Sequence, residues 1–228
     1  MSQPPSQPPV LPLEPVGAAR ALPISDASFY AFILRAVYRA RWSILAIGLV
    51  YIVAVSVGMI MAHVGNQFAL AQRDALVAKA YAADPASIAF KRGDRLQAAL
   101  SDFSANLILG AVSNTVQGIA VVLPFPWVAY RGWVGGIVSV DSAHHSRLAD
   151  PGEAVYYLVT LVLQLIPYSL AGGAGVHLGV SNLRVPAYYR KDTRLLTLPR
   201  DALADVLRIY ALVIPLFLIA SLWEFLAA

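Results

Sequence analysis

The chain has 228 residues, of which 58% are hydrophobic and only 13% charged, and its mean hydropathy is +0.64. These values fall outside the range of soluble domains and point to a membrane protein. Cysteine is absent, which excludes disulfides, thiolate metal sites and cysteine nucleophiles; the net charge of +4 sits at the edges of apolar segments rather than in one nucleic-acid-binding patch, so it reads as a topology signal.

Residues 1–24 carry seven prolines and no periodic apolar face, which predicts a disordered, polyproline-like tail. A basic start followed at once by an apolar core is missing, so the tail is not expected to act as a cleavable signal peptide. Residues 25–41 follow, with Ser25 or Asp26 as N-cap and with Phe29, Phe32, Ile33, Ala36 and Val37 at helical spacing. Arg35, Arg39 and Arg41 beside these aromatics predict an interfacial amphipathic helix, or equally a simple extension of the first span.

The membrane domain is expected over residues 42–228. Trp42 to His63 gives 22 residues without Lys, Arg, Asp or Glu, enough to cross a hydrocarbon core of about 30 Å. Residues 64–102 turn charged and alanine-rich, with a break at Asp84 and Pro85, and are expected to form a helical hairpin on the outer membrane surface. Phe103 to Phe125 reads as a second span, carrying Asn106, Asn114 and Gln117 within it. Pro124 and Pro126 then impose a turn, and Trp127 to Val140 makes a short third apolar segment interrupted by Arg131, which either crosses or re-enters.

A fourth span runs from about Ala154 to Leu178 and a fifth from about Leu207 to Phe225. With the amino terminus in the cytoplasm and five crossings, the inside segments hold eleven of the seventeen Lys and Arg, as the positive-inside rule requires. The expected fold is therefore an all-α, polytopic membrane helical bundle of about five transmembrane helices in a bacterial cytoplasmic membrane.

Within the spans, Ala171, Gly175 and Gly179 fall at i, i+4 and i+8 on one helix face, beside Gly172. Small residues so placed let another helix approach closely, either within the chain or between copies. Gly132 and Gly136, also four apart, are assigned the same packing role. Asn106, Asn114, Gln117 and Gln164 are candidates for a polar network between spans two and four, more suited to fixing helix register than to holding a ligand. Glu224 is the one carboxylate inside a span, and together with Arg131 it completes the set of intramembrane polar residues; a pairing of Glu224 with Arg or Asn from another span is expected.

No catalytic pattern is present: GxSxG, HExxH and a phosphate-cradling glycine loop followed by Lys are all missing. His144 and His145 lie in a loop with Asp141 and Asp150 nearby, but adjacent histidines point to different sides, so no metal site is expected. His177 reads as an interfacial residue. No enzyme activity, cofactor or metal is assigned, and the expected partners are membrane lipids together with a homo-oligomer or other membrane proteins, not nucleic acid.

Three motifs resemble the stage II sporulation protein M family of polytopic membrane proteins. "AGGAGVHLG" at 171–179 is similar to that family's glycine-rich segment, "RGWVGG" at 131–136 to its turn after the second span, and "LIASLWEFLAA" at 218–228 to its terminal helix. The resemblance implies a non-enzymatic membrane scaffold, working in spore-forming relatives with peptidoglycan-degrading partners during engulfment, and it places a family glutamate at Glu224. The chain departs from the pattern at Leu161 and Leu165, where the family carries histidine and glutamate, and at Arg131, where it carries asparagine. The rival reading is a transport or lipid-handling protein with a polar site between spans two and four.

Overall fold

The computed structural model describes residues 29–184, 194–195 and 198–227. The proline-rich tail, residues 25–28, and residues 185–193 and 196–197 of the basic segment between the last two expected spans lie outside the described residues. The elements in order are α1 (Phe29–His63), α2 (Gln67–Ala83), α3 (Pro85–Lys91), α4 (Arg95–Ala105), a π-helical segment (Asn106–Val112), α5 (Ser113–Gly118), α6 (Pro124–Ile137), a short 3-10 turn (Arg147–Ala149), α7 (Pro151–Arg184), the paired strands β1 (Arg194–Leu195) and β2 (Leu198–Pro199), and α8 (Arg200–Leu226). Three helices are long and apolar enough to cross a membrane: Tyr30–His63, Pro151–Arg184 and Arg200–Leu226. The other two segments read as spans are α4 with the π segment and α5, and the 14-residue α6.

From Phe29 onward the segment expected as an interfacial helix is the first part of α1, with no break before the apolar stretch. The reason is visible in its burial. Ile33, Ala36, Ala40, Ile47, Tyr51, Val55, Gly58 and Ala62 are buried, steps of three, four or seven residues that keep one continuous face against the bundle. The opposite face exposes Leu34, Tyr38, Trp42, Leu45, Leu49, Val53 and Ile60, the apolar exterior that a helix in lipid presents.

Residues 64–94 cap the bundle with short helices whose starts are written in the sequence. Asn66 accepts a hydrogen bond from the Ala69 N–H at 3.1 Å, Asp84 from Ser87 N–H at 2.8 Å with Pro85 at the first helical position, and Asp94 from Gln97 N–H at 3.0 Å. Asp74, exposed on α2, is held below the usual carboxylate range by hydrogen bonds from Arg73 and His144.

The second expected span ends earlier than the prolines suggest. Its helix stops at Gly118, residues 119–123 turn with Val121 at φ 65°, and Pro124 opens α6 rather than closing the preceding helix. Proline is well suited to a first helical position, where its missing N–H costs nothing. A β-branched residue in the left-handed region is unusual, so the tertiary contacts around this turn hold it there.

Those contacts are backbone to backbone. A Cβ on Gly175 would lie 2.7 Å from Thr115 Cα, and one on Gly179 would lie 2.6 Å from Ile119 O, closer than any side chain tolerates. The glycine face of α7 is therefore filled by α5 of the same chain. Gly132 and Gly136 do the same on α6: a Cβ would meet Tyr51 O at 2.6 Å and Met59 N at 2.8 Å respectively. α4, the π segment and α5 run parallel to α7, and α6 returns parallel to α1. The main core joins Ala36, Ala111, Tyr168, Ala171, Ile209, Val213 and Phe217, and a second cluster joins Ile47, Tyr51, Val55, Val128 and Val176.

Candidate functional site

Apolar helices in a bundle have little reason to bury charge, so the places where this chain does so mark its candidate sites. The larger lies toward the His63 end, where α4, the π segment, α6, α7 and α8 converge. The π segment begins at Asn106 and includes Gly110, and a Cβ on Gly110 would lie 2.9 Å from Tyr168 Cε1. The wider turn and the missing side chain together admit the Tyr168 ring beside the helix; π segments are frequent at functional sites for this kind of reason.

Tyr168, buried at 3% exposure, donates its hydroxyl hydrogen to Asn106 Oδ1 at 2.6 Å. Arg131 on α6 donates from one terminal nitrogen to Tyr168 Oη and to Asn106 Oδ1, the latter at 3.3 Å. Its guanidinium also lies over the Tyr168 ring at 4.8 Å and the Trp127 ring at 5.5 Å. Asn106 Nδ2 in turn donates to Asp102 Oδ2 at 2.9 Å, and Ser221 of α8 donates to the same oxygen at 2.7 Å. One turn further along α8, Glu224 Oε2 accepts from Gln164 Nε2 at 3.3 Å.

These residues line a cleft of about 370 Å³ bounded by Asp102, Asn106, Trp127, Arg131, Gln164 and Glu224. A second cavity of about 280 Å³ lies on the far side of Gln164 and Glu224, where Arg147, Tyr156, Tyr157 and Thr160 face it. Tyr51, Gly135, Gln164 and Glu224 line both. Tyr157 donates to Gly135 O at 2.8 Å and Tyr156 to the Glu224 carbonyl at 2.6 Å, which fixes the partition between the two spaces.

A second charged cluster ties the other ends of α1, α7 and α8. Asp205, 2% exposed, accepts from Arg39 Nε at 2.6 Å, from a second Arg39 nitrogen and from Arg208 at 3.0 Å, with His177 Nε2 at 3.5 Å. This arrangement is an internal ion network in which one buried carboxylate is shared by Arg39, Arg208 and His177 of three helices, and it suits bundle assembly rather than ligand binding.

Of the polar residues singled out in the sequence, Asn106, Arg131, Gln164 and Glu224 meet at the cleft. Asn114 and Gln117 do not. Asn114 is fully buried beside Gly172 with neither amide atom hydrogen-bonded, and Gln117 donates to Ser113 of its own helix at 3.1 Å. The partner of Glu224 is glutamine rather than arginine or asparagine. Asp102, Tyr168 and Tyr51 escaped the sequence reading: Asp102 sits one residue before the apolar stretch begins, and a tyrosine within a span carries no signal of which neighbour its hydroxyl will find.

Among the described residues no group of three His, Asp or Glu side chains stands where it could hold a metal ion. His144 pairs with Asp74 at 3.0 Å and His145 lies 3.8 Å from Asp141, each alone. Comparison of the chain with models of protein families, with characterised proteins and with solved structures finds no match.

Proposed function

We propose that this chain is a non-enzymatic integral protein of a bacterial cytoplasmic membrane that binds a polar solute or lipid headgroup in the cleft between Asp102, Arg131 and Glu224. The observation that carries this reading is that one arginine and two carboxylates line a single cleft in a bundle of apolar helices without any of them forming an ion pair there. Charges held in an apolar bundle without mutual pairing are costly, and a ligand that completes them recovers that cost.

The same reading takes five crossings. The run from Arg95 to Gly118 covers 24 residues, about 36 Å at 1.5 Å per residue, and the 14 residues of α6 cover about 21 Å. The turn between them lies level with Gly179 of α7, near the Arg39–Asp205 network, which favours a hairpin that reaches the far interface. Lys and Arg distribution favours a cytoplasmic amino terminus, and this puts the cleft in the outer half of the bundle.

The motifs similar to the stage II sporulation protein M family fall on α6, α7 and α8, all three of which wall the cleft. That resemblance is also what suggests a scaffold role, but the glycine face offered for assembly is occupied within the chain by α5, so assembly would have to use another surface. Ligand handling is therefore the better-supported reading.

Native mass spectrometry of the protein extracted from its own membrane in mild detergent tests it. The expected result is a bound small molecule at one per chain, lost in the double variant Arg131→Gln, Glu224→Gln. A wild-type chain that carries nothing and gains no thermal stability from membrane lipid extract would sink the proposal.

A further inference from the structure

The charges around the two adjacent cavities specify the class of ligand, given that the cleft binds one at all. The charged residues lining the two spaces are Asp102, Glu224, Arg131 and Arg147, so the formal charge of the lining is balanced before anything enters. Neither arginine lies within ion-pair distance of a carboxylate among the described residues, and the Arg147 Nε is buried with no hydrogen-bond partner. Each carboxylate also keeps one oxygen without a hydrogen bond: Asp102 Oδ1 and Glu224 Oε1, since Asn106, Ser221 and Gln164 all donate to the other oxygen.

A guanidinium without a carboxylate is a receptor for a phosphate or carboxylate group. A carboxylate with an open oxygen is a receptor for an ammonium. A purely anionic or purely cationic ligand would satisfy one set and leave the other, together with a net charge, in apolar surroundings. A zwitterion satisfies both and leaves the site neutral. Trp127, whose ring lies 5.5 Å from the Arg131 guanidinium, lines the cleft on the same side.

We infer that the cleft binds an amine-bearing zwitterion, its anionic group against Arg131 and its ammonium against Glu224 and Asp102, with Arg147 across the shared wall offsetting the remaining carboxylate charge. The headgroup of an aminophospholipid has this chemistry, and so does a free solute that carries the same two groups.

The test presents the full-length protein in detergent with equimolar phosphatidylethanolamine and phosphatidylglycerol and counts adducts by native mass spectrometry. The expected result is a preference for phosphatidylethanolamine of about tenfold, equal to about 1.4 kcal/mol, which falls to parity in Glu224→Gln. Equal or better retention of phosphatidylglycerol by the wild-type chain overturns the zwitterion assignment while leaving ligand binding at the cleft intact. Absence of any adduct overturns both. Phosphoethanolamine, the headgroup without tails, is then added: displacement of the lipid supports the zwitterion and shows that a free solute suffices, whereas retention supports it with the lipid as the occupant. Wild-type selectivity alone decides the matter if Glu224→Gln does not fold.

Discussion

Gln164 on α7 and Glu224 on α8 stand sixty positions apart in sequence and meet through one hydrogen bond of 3.3 Å, Nε2 to Oε2. This contact stands in the wall between the two cavities and, with the hydrogen bond from Tyr156 to the Glu224 carbonyl, ties together the two helices that carry it. Interhelical hydrogen bonds in membrane bundles average about 0.6 kcal/mol, so the Gln164–Glu224 pair is expected to show a coupling of that size in a double-mutant cycle built from Gln164→Leu and Glu224→Leu, each of which removes the contact, and read by reversible unfolding in detergent. Strict additivity of the two variants would mean that the contact does not form.

Gly175→Leu is expected to destabilise the monomer itself. Its added carbons enter the space held by Thr115 Cα, and overpacking of this kind costs about 1–3 kcal/mol. The check is a thermal melt of detergent-solubilised protein followed by size-exclusion chromatography. A variant with an unchanged melt and an altered oligomer peak would place this face between copies instead.

Asp205→Ala leaves Arg39, Arg208 and His177 without their shared acceptor. Removing one partner from a buried charge cluster costs about 3–5 kcal/mol, but the Arg39 side chain is 48% exposed and is screened, so the loss is expected toward or below the lower end of that range. Asp205→Asn, which keeps an acceptor oxygen, is expected to recover part of it. Equal stability of Asp205→Ala and wild type in urea or SDS unfolding would contradict the network.

Asn114→Leu is expected to be neutral or to raise stability by about 1 kcal/mol, because an unpartnered buried amide is replaced by an apolar side chain of similar size. Asn114 is fully buried and neither amide atom has a hydrogen-bond partner. A clear loss of stability in a thermal melt would show that the amide has a partner after all.

For topology, a reporter active only outside the cytoplasm is expected to give signal when attached after Ala228, and none when attached at Val122 in the turn between α5 and α6. Signal at Val122 would remove the hairpin from the far interface and leave three crossings with a re-entrant pair.

The long helices were legible because hydropathy and helical length report on the bilayer alone: α1, α7 and α8 each carry an uninterrupted apolar stretch. The spacing of Ala171, Gly175 and Gly179 pointed to close approach, and α5 makes it. What stayed hidden depends on contacts between distant segments. The early stop at Gly118 comes from the backbone of α7 closing on it, where local sequence points to the prolines that follow. The π segment has no composition of its own and is set by the Tyr168 ring. Asp205 carries no sequence signal of its own, since its i+3 neighbour Arg208 explains it locally, and only the fold brings Arg39 and His177 to it.

The polar cleft also has an order of assembly built into it. Asp102 and Arg131 belong to the hairpin that is synthesised before α7 and α8, yet Tyr168 and Ser221, which hydrogen-bond them, arrive only with those later helices. A charged side chain at the middle of a lone inserting helix carries a cost of about 2.5–3.5 kcal/mol. On the five-crossing reading, the hairpin is therefore a poor candidate to insert by itself as it leaves the ribosome, and its entry into the bilayer waits on the carboxyl-terminal third of the chain.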